Sequence, residues 1–159
     1  MAQSELLRLD NVGIIVEDMD AVVAFFKELG LVVEGEAIVE GEKVDRCIGV
    51  NGTKCQIVML KTSDGHSRLE LSKFLAPKAI PSDPMAPANT LGIRRLMFAV
   101  TDIDDMIARL QKVGGELVDS VVDYEGVYKL CYMRGPEGIM IALAEQLGAK
   151  TDAEFLQDS

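Results

Sequence analysis

The stretch Leu9–Gly30, LDNVGIIVEDMDAVVAFFKELG, is written twice in this chain, and its second copy is Ile93–Gly114, IRRLMFAVTDIDDMIARLQKVG. Placing Asn11 on Arg95 brings Val16 onto Val100, Asp18 onto Asp102, Asp20 onto Asp104, Ala24 onto Ala108 and Gly30 onto Gly114 without a gap. A unit that fills half the chain is too long for a solenoid repeat, so the sequence reads as a duplicated module.

Each copy reads strand, turn, helix. Val12, Ile14 and Val16 alternate with Asn11, Gly13 and Ile15, the period of a strand with two unlike faces. Asp18 or Asp20 then offers a carboxylate to the free N–H groups of a helix start. Val22, Phe25, Phe26 and Leu29 recur at helical spacing, and Gly30 stands where a left-handed helix end belongs. The second copy repeats this with Leu96, Phe98 and Val100, then Asp102, then Met106, Ile107, Leu110 and Val113. Helices that cover the Val/Ile/Phe faces leave Asn11 and Arg95 on the opposite side of the sheet.

Further strands follow each helix. In the first module the expected ones are Asp45–Val50 and Lys54–Leu60, joined by an Asn51-Gly52 hairpin turn, and Arg68–Phe74. The last puts Arg68, Glu70 and Ser72 on one face, with Leu69 and Leu71 on the other. Four of the five prolines (Pro77, Pro81, Pro84 and Pro87) fall in the connection that follows. In the second module the expected strands are Glu116–Val118, Ser120–Tyr124, Val127–Met133 and Ile139–Ala144, the last preceded by an RGPEG turn at 134–138. Residues 7–75 thus form module one, 76–92 a Pro-rich connection, 93–147 module two and 148–159 a tail that is a short helix or a frayed end.

Composition narrows the function. A net charge of −10 argues against nucleic acid or an anionic membrane as partner, and no apolar run is long enough to span a bilayer. MAQSELLRLD lacks the basic-then-apolar pattern of a secretory signal. Cys47, Cys55 and Cys131 are an odd number without paired metal spacing, which points to reduced thiols in a cytoplasmic protein. Phosphate loops, nucleophile elbows and zinc-helix motifs are missing.

Two copies of strand, helix and three strands, with RGPEG before the closing strand, resemble the vicinal oxygen chelate superfamily of glyoxalases, bleomycin-resistance proteins and extradiol dioxygenases. The resemblance covers roughly residues 7–147 and extends most closely to bacterial proteins labelled as the glyoxalase family. It implies an α/β (α+β) fold in which tandem βαβββ modules form a curved, roughly eight-stranded mixed sheet around a cavity. Metal-dependent members take ligands from the first and last strands of each module. Carried over, those places are Asn11, Glu70, Arg95 and Ala142. Glu70 alone is a good ligand, Ala142 offers no donor, and Arg95 adds a permanent positive charge. The expectation is therefore a protein without metal or other cofactor.

Glu70 has two readings: a general base that takes a proton from carbon or oxygen, or a buried partner for Arg95 at the vacated metal position. Arg46, Arg68, Arg94, Arg95 and Arg134 are candidates to grip a carboxylate through the guanidinium fork, though each has a solvated surface role as its alternative. Tyr124, Tyr128 and Tyr132 share a face by even spacing and either wall a pocket or pack the sheet. His66 belongs to a turn. The expected function is metal-free binding of a small organic molecule by Asn11, Arg95, Arg68, Tyr128 and Arg46, with a thiol conjugate or other carboxylate among the candidate ligands. The alternatives are a glyoxalase-type lyase or isomerase with Glu70 as base, and a regulatory dimer with a vestigial cavity. A homodimer is expected, because exposed strand edges need cover.

Overall fold

Both copies of the repeat fold as strand, turn and helix in the computed structural model, which describes residues 2–148. The first copy gives β1 (Val12–Ile15) and α1 (Met19–Leu29), and the second gives β5 (Leu96–Ala99) and α3 (Ile103–Gln111). Val22, Phe25, Phe26 and Leu29 are all buried, as are Ile103, Ile107 and Leu110. Burying side chains of this size contributes about 2 kcal/mol each. Asp102 caps α3, its side chain accepting from the Asp105 N–H at 3.0 Å.

The remaining elements are β2 (Val32–Glu40), α2 (Glu42–Ile48), β3 (Lys54–Lys61), β4 (Arg68–Ala76), β6 (Glu116–Leu117), β7 (Val122–Tyr124), β8 (Tyr128–Arg134) and β9 (Met140–Gln146). They form two mixed sheets, one in the order β1-β4-β3-β2 and the other in the order β5-β9-β8-β6, with β7 also paired to β8. The first and last strands of each copy pair in parallel with one common register. Val12 faces Leu69 and Gly13 faces Glu70; Leu96 faces Ile141 and Met97 faces Ala142. The repeat is therefore preserved down to individual cross-strand pairs.

One expected strand is a helix. Asp45–Val50 does not extend; Glu42–Ile48 is α2, ended by Gly49 in the left-handed region at φ 74°. Asn51-Gly52 accordingly turns the chain from a helix into β3 rather than joining two strands. The Asp45 carboxylate holds that turn by accepting from the N–H groups of Gly52 (2.9 Å) and Thr53 (2.8 Å). The partner of β3 is β2, whose exposed, charged EGEAIVE run lacks the apolar alternation of a half-buried strand.

The chain divides into two compact units: the chain up to Met19 with Gly30–Ile80, and Asp20–Leu29 with the chain from Pro81 onward. Helix α1, written in the first copy, thus belongs with the second sheet. Its Phe26 ring lies 6.3 Å from that of Phe98, and Glu28 accepts from Arg109 Nε at 2.7 Å. In the same unit the Pro-rich connection docks on the RGPEG turn. Arg134 donates to the carbonyls of Pro84, Met85 and Ala86 at 3.2, 3.3 and 2.8 Å. Gly138, at φ 81°, sits so close that a Cβ there would collide with the Pro84 carbonyl. Apart from Gly148, the 148–159 tail lies outside the described residues. Among the described residues no helix is long and apolar enough to cross a membrane.

Candidate functional site

In the first unit, the face of the sheet opposite Val12, Ile14, Leu69 and Leu71 carries the polar candidates. The pairing of Gly13 with Glu70 and of Ile15 with Ser72 places Asn11, Glu70 and Arg68 on that face by strand alternation. Asn11 and Glu70 are half-buried. Among the described residues of its own unit, Glu70 pairs with no basic side chain. Arg68 does: its Nε donates to Glu34 Oε2 at 2.9 Å, and Nη1 reaches the Gly65 carbonyl at 3.5 Å. An arginine whose fork is turned toward a neighbouring carboxylate is a poor first receiver for a ligand anion.

The second unit places different chemistry on the same framework. Met97 pairs with Ala142, and Ala142 pairs with Tyr132, so these three cross β5, β9 and β8 in one row. Arg95 precedes β5 with the parity of Met97 and lies on the same face. Its Nε donates to Tyr132 Oη at 2.6 Å, and its guanidinium carbon stands 5.5 Å from the centre of the Tyr132 ring. The contact spans two strands and passes over the fully buried Ala142. A methyl group leaves room for that reach where a longer side chain would block it. Tyr132 is a partner that sequence reasoning did not assign to Arg95. A strand order with β9 between β5 and β8 was the missing information.

The other candidates scatter. Tyr124 and Tyr128 share the face of Tyr132, although Tyr124 stands on β7 directly opposite Tyr128 rather than on one continuous strand. Tyr128 is buried and Tyr124 exposed. Arg46, expected on a strand, stands exposed on α2, with Nη1 at 4.0 Å from Glu42 Oε1. It borders an open depression of about 740 Å³ whose lining includes Glu40, Glu42, Asp45, Asn51, Lys54 and Ala76, most of them charged or polar residues. Arg134 is committed to three backbone carbonyls rather than to an anion. The Arg94 Nε is buried without an acceptor among the described residues. His66 is exposed in the turn after Asp64, whose side chain accepts from its N–H at 3.0 Å. Burial pushes the thiols of Cys55 and Cys131 above their ordinary pKa, which keeps them unreactive.

The donor set does not suit a divalent ion. Of the four equivalent positions, the second unit supplies a guanidinium and a methyl, neither of which has a lone pair to give. Among the described residues no three His, Cys, Asp or Glu side chains gather as a metal site requires.

The comparisons agree with this fold. No curated protein matches the chain. A glyoxalase family protein from Bacillus cereus is 54% identical, with a TM-score of 0.88, and the match covers 93% of this chain and 99% of that one. A glyoxalase family protein from Enterococcus faecalis is 26% identical, with a TM-score of 0.58 over 87% of this chain and 97% of that one. At 13% identity, a fosfomycin resistance protein from Listeria monocytogenes, solved with Mn(II) and sulfate, shares the fold alone; its TM-score is 0.58 over 96% of this chain and 99% of that one. Residues 10–132 match the model of the Glyoxalase/Bleomycin resistance protein/Dioxygenase superfamily, and the chain belongs to that superfamily.

Proposed function

We propose that this chain is a metal-independent small-molecule-binding protein, cytoplasmic and homodimeric, whose ligand is a small organic molecule such as a thiol conjugate or other carboxylate. The observation that carries this reading is Arg95 fixed on Tyr132 across Ala142. A cation occupies one position where metal-dependent members of the superfamily place a ligand, and a methyl group occupies another. A divalent ion is repelled there and an anion is attracted. The protein purified without chelator is expected to carry no stoichiometric metal, and titration with nickel, zinc or manganese to give no saturable heat. Stoichiometric binding in the micromolar range overturns the reading. Mass spectrometry of small molecules released on denaturation then identifies the ligand class.

Assembly as a homodimer is supported by apolar side chains that no soluble surface needs. Leu6, Leu7 and Leu9 in the first unit and Leu91 and Ile93 in the second are each at least 77% exposed. Light scattering is expected to give twice 17.3 kDa at micromolar concentration, and a monomer mass rejects the dimer.

A second reading has its own support in Glu70, which stands half-buried beside β1 with no cation among the described residues of its own unit to neutralise it. Such a carboxylate suits a base that takes a proton from carbon and returns it, as a lyase or isomerase of the glyoxalase type requires. Turnover of methylglyoxal with a thiol, abolished in Glu70→Gln, establishes the enzyme. Turnover that survives the substitution removes Glu70 from that role.

A further inference from the structure

We propose that Arg95 and Tyr132 together form a carboxylate-receiving clamp on the face of the second sheet that carries Met97 and Ala142. The inference rests on the ligand-binding reading above and names the chemistry of its ligand.

Arg95 uses Nε on Tyr132, so the guanidinium is held by its inner edge. Its two terminal NH2 groups have no acceptor among the described residues, and Arg95 is exposed. Tyr132 accepts from Nε through its oxygen, which leaves its own O–H free to donate. Two kinds of donor therefore converge on one point: a charged fork and a neutral hydroxyl beside it. That is the pattern for a planar carboxylate, which takes two parallel N–H bonds from a guanidinium and has lone pairs to spare for a third donor. The Tyr132 ring beneath the guanidinium fixes its plane before a ligand arrives, which lowers the ordering cost of binding.

The surroundings specify the rest of the ligand. Met97 follows Arg95 on the same face and is 47% exposed, and Ala99 continues that face and is exposed as well. The carboxylate is thus joined to an apolar body that lies along β5. Ala142 is the residue that permits the arrangement, because it alone separates Met97 from Tyr132 across the sheet. At the register-equivalent place the first unit carries Glu70, a carboxylate of its own, and there the same ligand group is repelled.

Benzoate and benzamide are the probes, since they share a ring and differ in the charged group. The Nε–H signal of Arg95 in proton–nitrogen spectra reports the site in the wild type and in Tyr132→Phe, and the backbone N–H signals of Met97 and Tyr132 report it in all variants, Arg95→Lys included. Benzoate is expected to move these signals saturably at millimolar concentration, and benzamide to leave them in place. Arg95→Lys keeps the charge but loses the fork, and is expected to weaken benzoate binding about tenfold. Tyr132→Phe keeps the ring, and the loss of one hydroxyl donor is expected to weaken it about threefold to tenfold. Equal effects of benzoate and benzamide, or unchanged benzoate affinity in Arg95→Lys, overturn the clamp. The clamp and the wider reading fail separately. A neutral molecule released from the purified protein that binds wild type and Arg95→Lys equally removes the clamp and leaves ligand binding standing. Benzoate held by Arg95 in a protein that assays as a lyase keeps the clamp and removes the binding-protein reading.

Discussion

The two parallel strand pairs, β1 with β4 and β5 with β9, share one register and differ in what they present. Where the first unit has Asn11, Gly13 and Glu70, the second has Arg95, Met97 and Ala142. The first trio offers an amide and a carboxylate, and the second offers a cation over a methyl. Duplication preserved the backbone ladder because a slip of one residue would turn Leu69, Leu71, Ile141 and Leu143 out of their cores. It placed no such demand on the other face, where the side chains diverged. The faces packed against Leu69, Leu71, Ile141 and Leu143 keep the fold, and the opposite faces carry the side chains that differ.

The largest expected effect comes from the elements that differ most, the turns leading into the strands. Gly138 combines a φ of 81° with contact against the Pro84 carbonyl, while Gly52 has a φ of 72° and open space around its missing side chain. Gly138→Ala should therefore cost about 2–4 kcal/mol, backbone strain plus a forced displacement of the docked connection. Gly52→Ala carries the strain alone and should cost about 1 kcal/mol. Thermal unfolding of the two variants makes the comparison, and equal losses would mean that the connection yields without resistance.

That docked connection also marks the limit of what the sequence makes legible. The helices were readable because a buried stripe, Val22, Phe25, Phe26 and Leu29, repeats at one period over about two turns. Alternation on short strands assigned Arg95 and Glu70 to the sheet faces opposite Leu96, Phe98, Leu69 and Leu71. Helix α2 was not readable: seven residues show too little of a 3.6-residue period, and none of them is buried. Strand β2 was hidden for a related reason, since most of its residues are exposed on both faces. The pairing of Arg95 with Tyr132 depends on strand order, a property of the whole sheet that no local pattern records. Arg134 illustrates the converse, an arginine whose partners are backbone carbonyls and therefore leave no mark in residue identity.

A second contrast lies in the turns just before β3 and β8, each held by an aspartate. Asp45 accepts from two backbone N–H groups, and Asp123 from the N–H of Gly126 at 2.8 Å. The bonds from Gly52 and Thr53 hold the Asp45 carboxyl below the usual carboxylate range. A lowered folded pKa means that the ionised form stabilises the fold above the ordinary carboxylate value, and this contribution is lost as pH falls through the lowered one. Asp45→Asn should thus lower the melting temperature at neutral pH more than Asp123→Asn does. The deficit of Asp45→Asn should shrink below about pH 4 as the wild-type carboxyl protonates. Asp64, held low by the Thr62 hydroxyl and the His66 N–H, titrates alike in all three proteins and cancels in the difference. A deficit that is flat down to acid pH would show that the turn does not need the charge.

The smallest effect is a ranking of thiols, and it asks which unit opens first. Cys47 is exposed on α2, whereas Cys55 and Cys131 are buried at 4% and 3%. A labelling reagent should modify Cys47 at once and the other two only when their strands open. Equal burial does not imply equal protection. Cys55 stands at the start of β3, beside a break in register between Lys54 and Cys55, where the ladder is already interrupted. Cys131 stands in mid-strand on β8, paired with Leu143 on one side of an unbroken β8–β9 ladder. Releasing it means separating the strands that carry Met133, Ile141 and Leu143, each fully buried. The expected order under native conditions is Cys47, then Cys55, then Cys131, followed residue by residue with mass spectrometry. If Cys131 were labelled before Cys55, the second unit would be the looser one, and the Arg95–Tyr132 clamp would lose the rigid sheet on which its geometry depends.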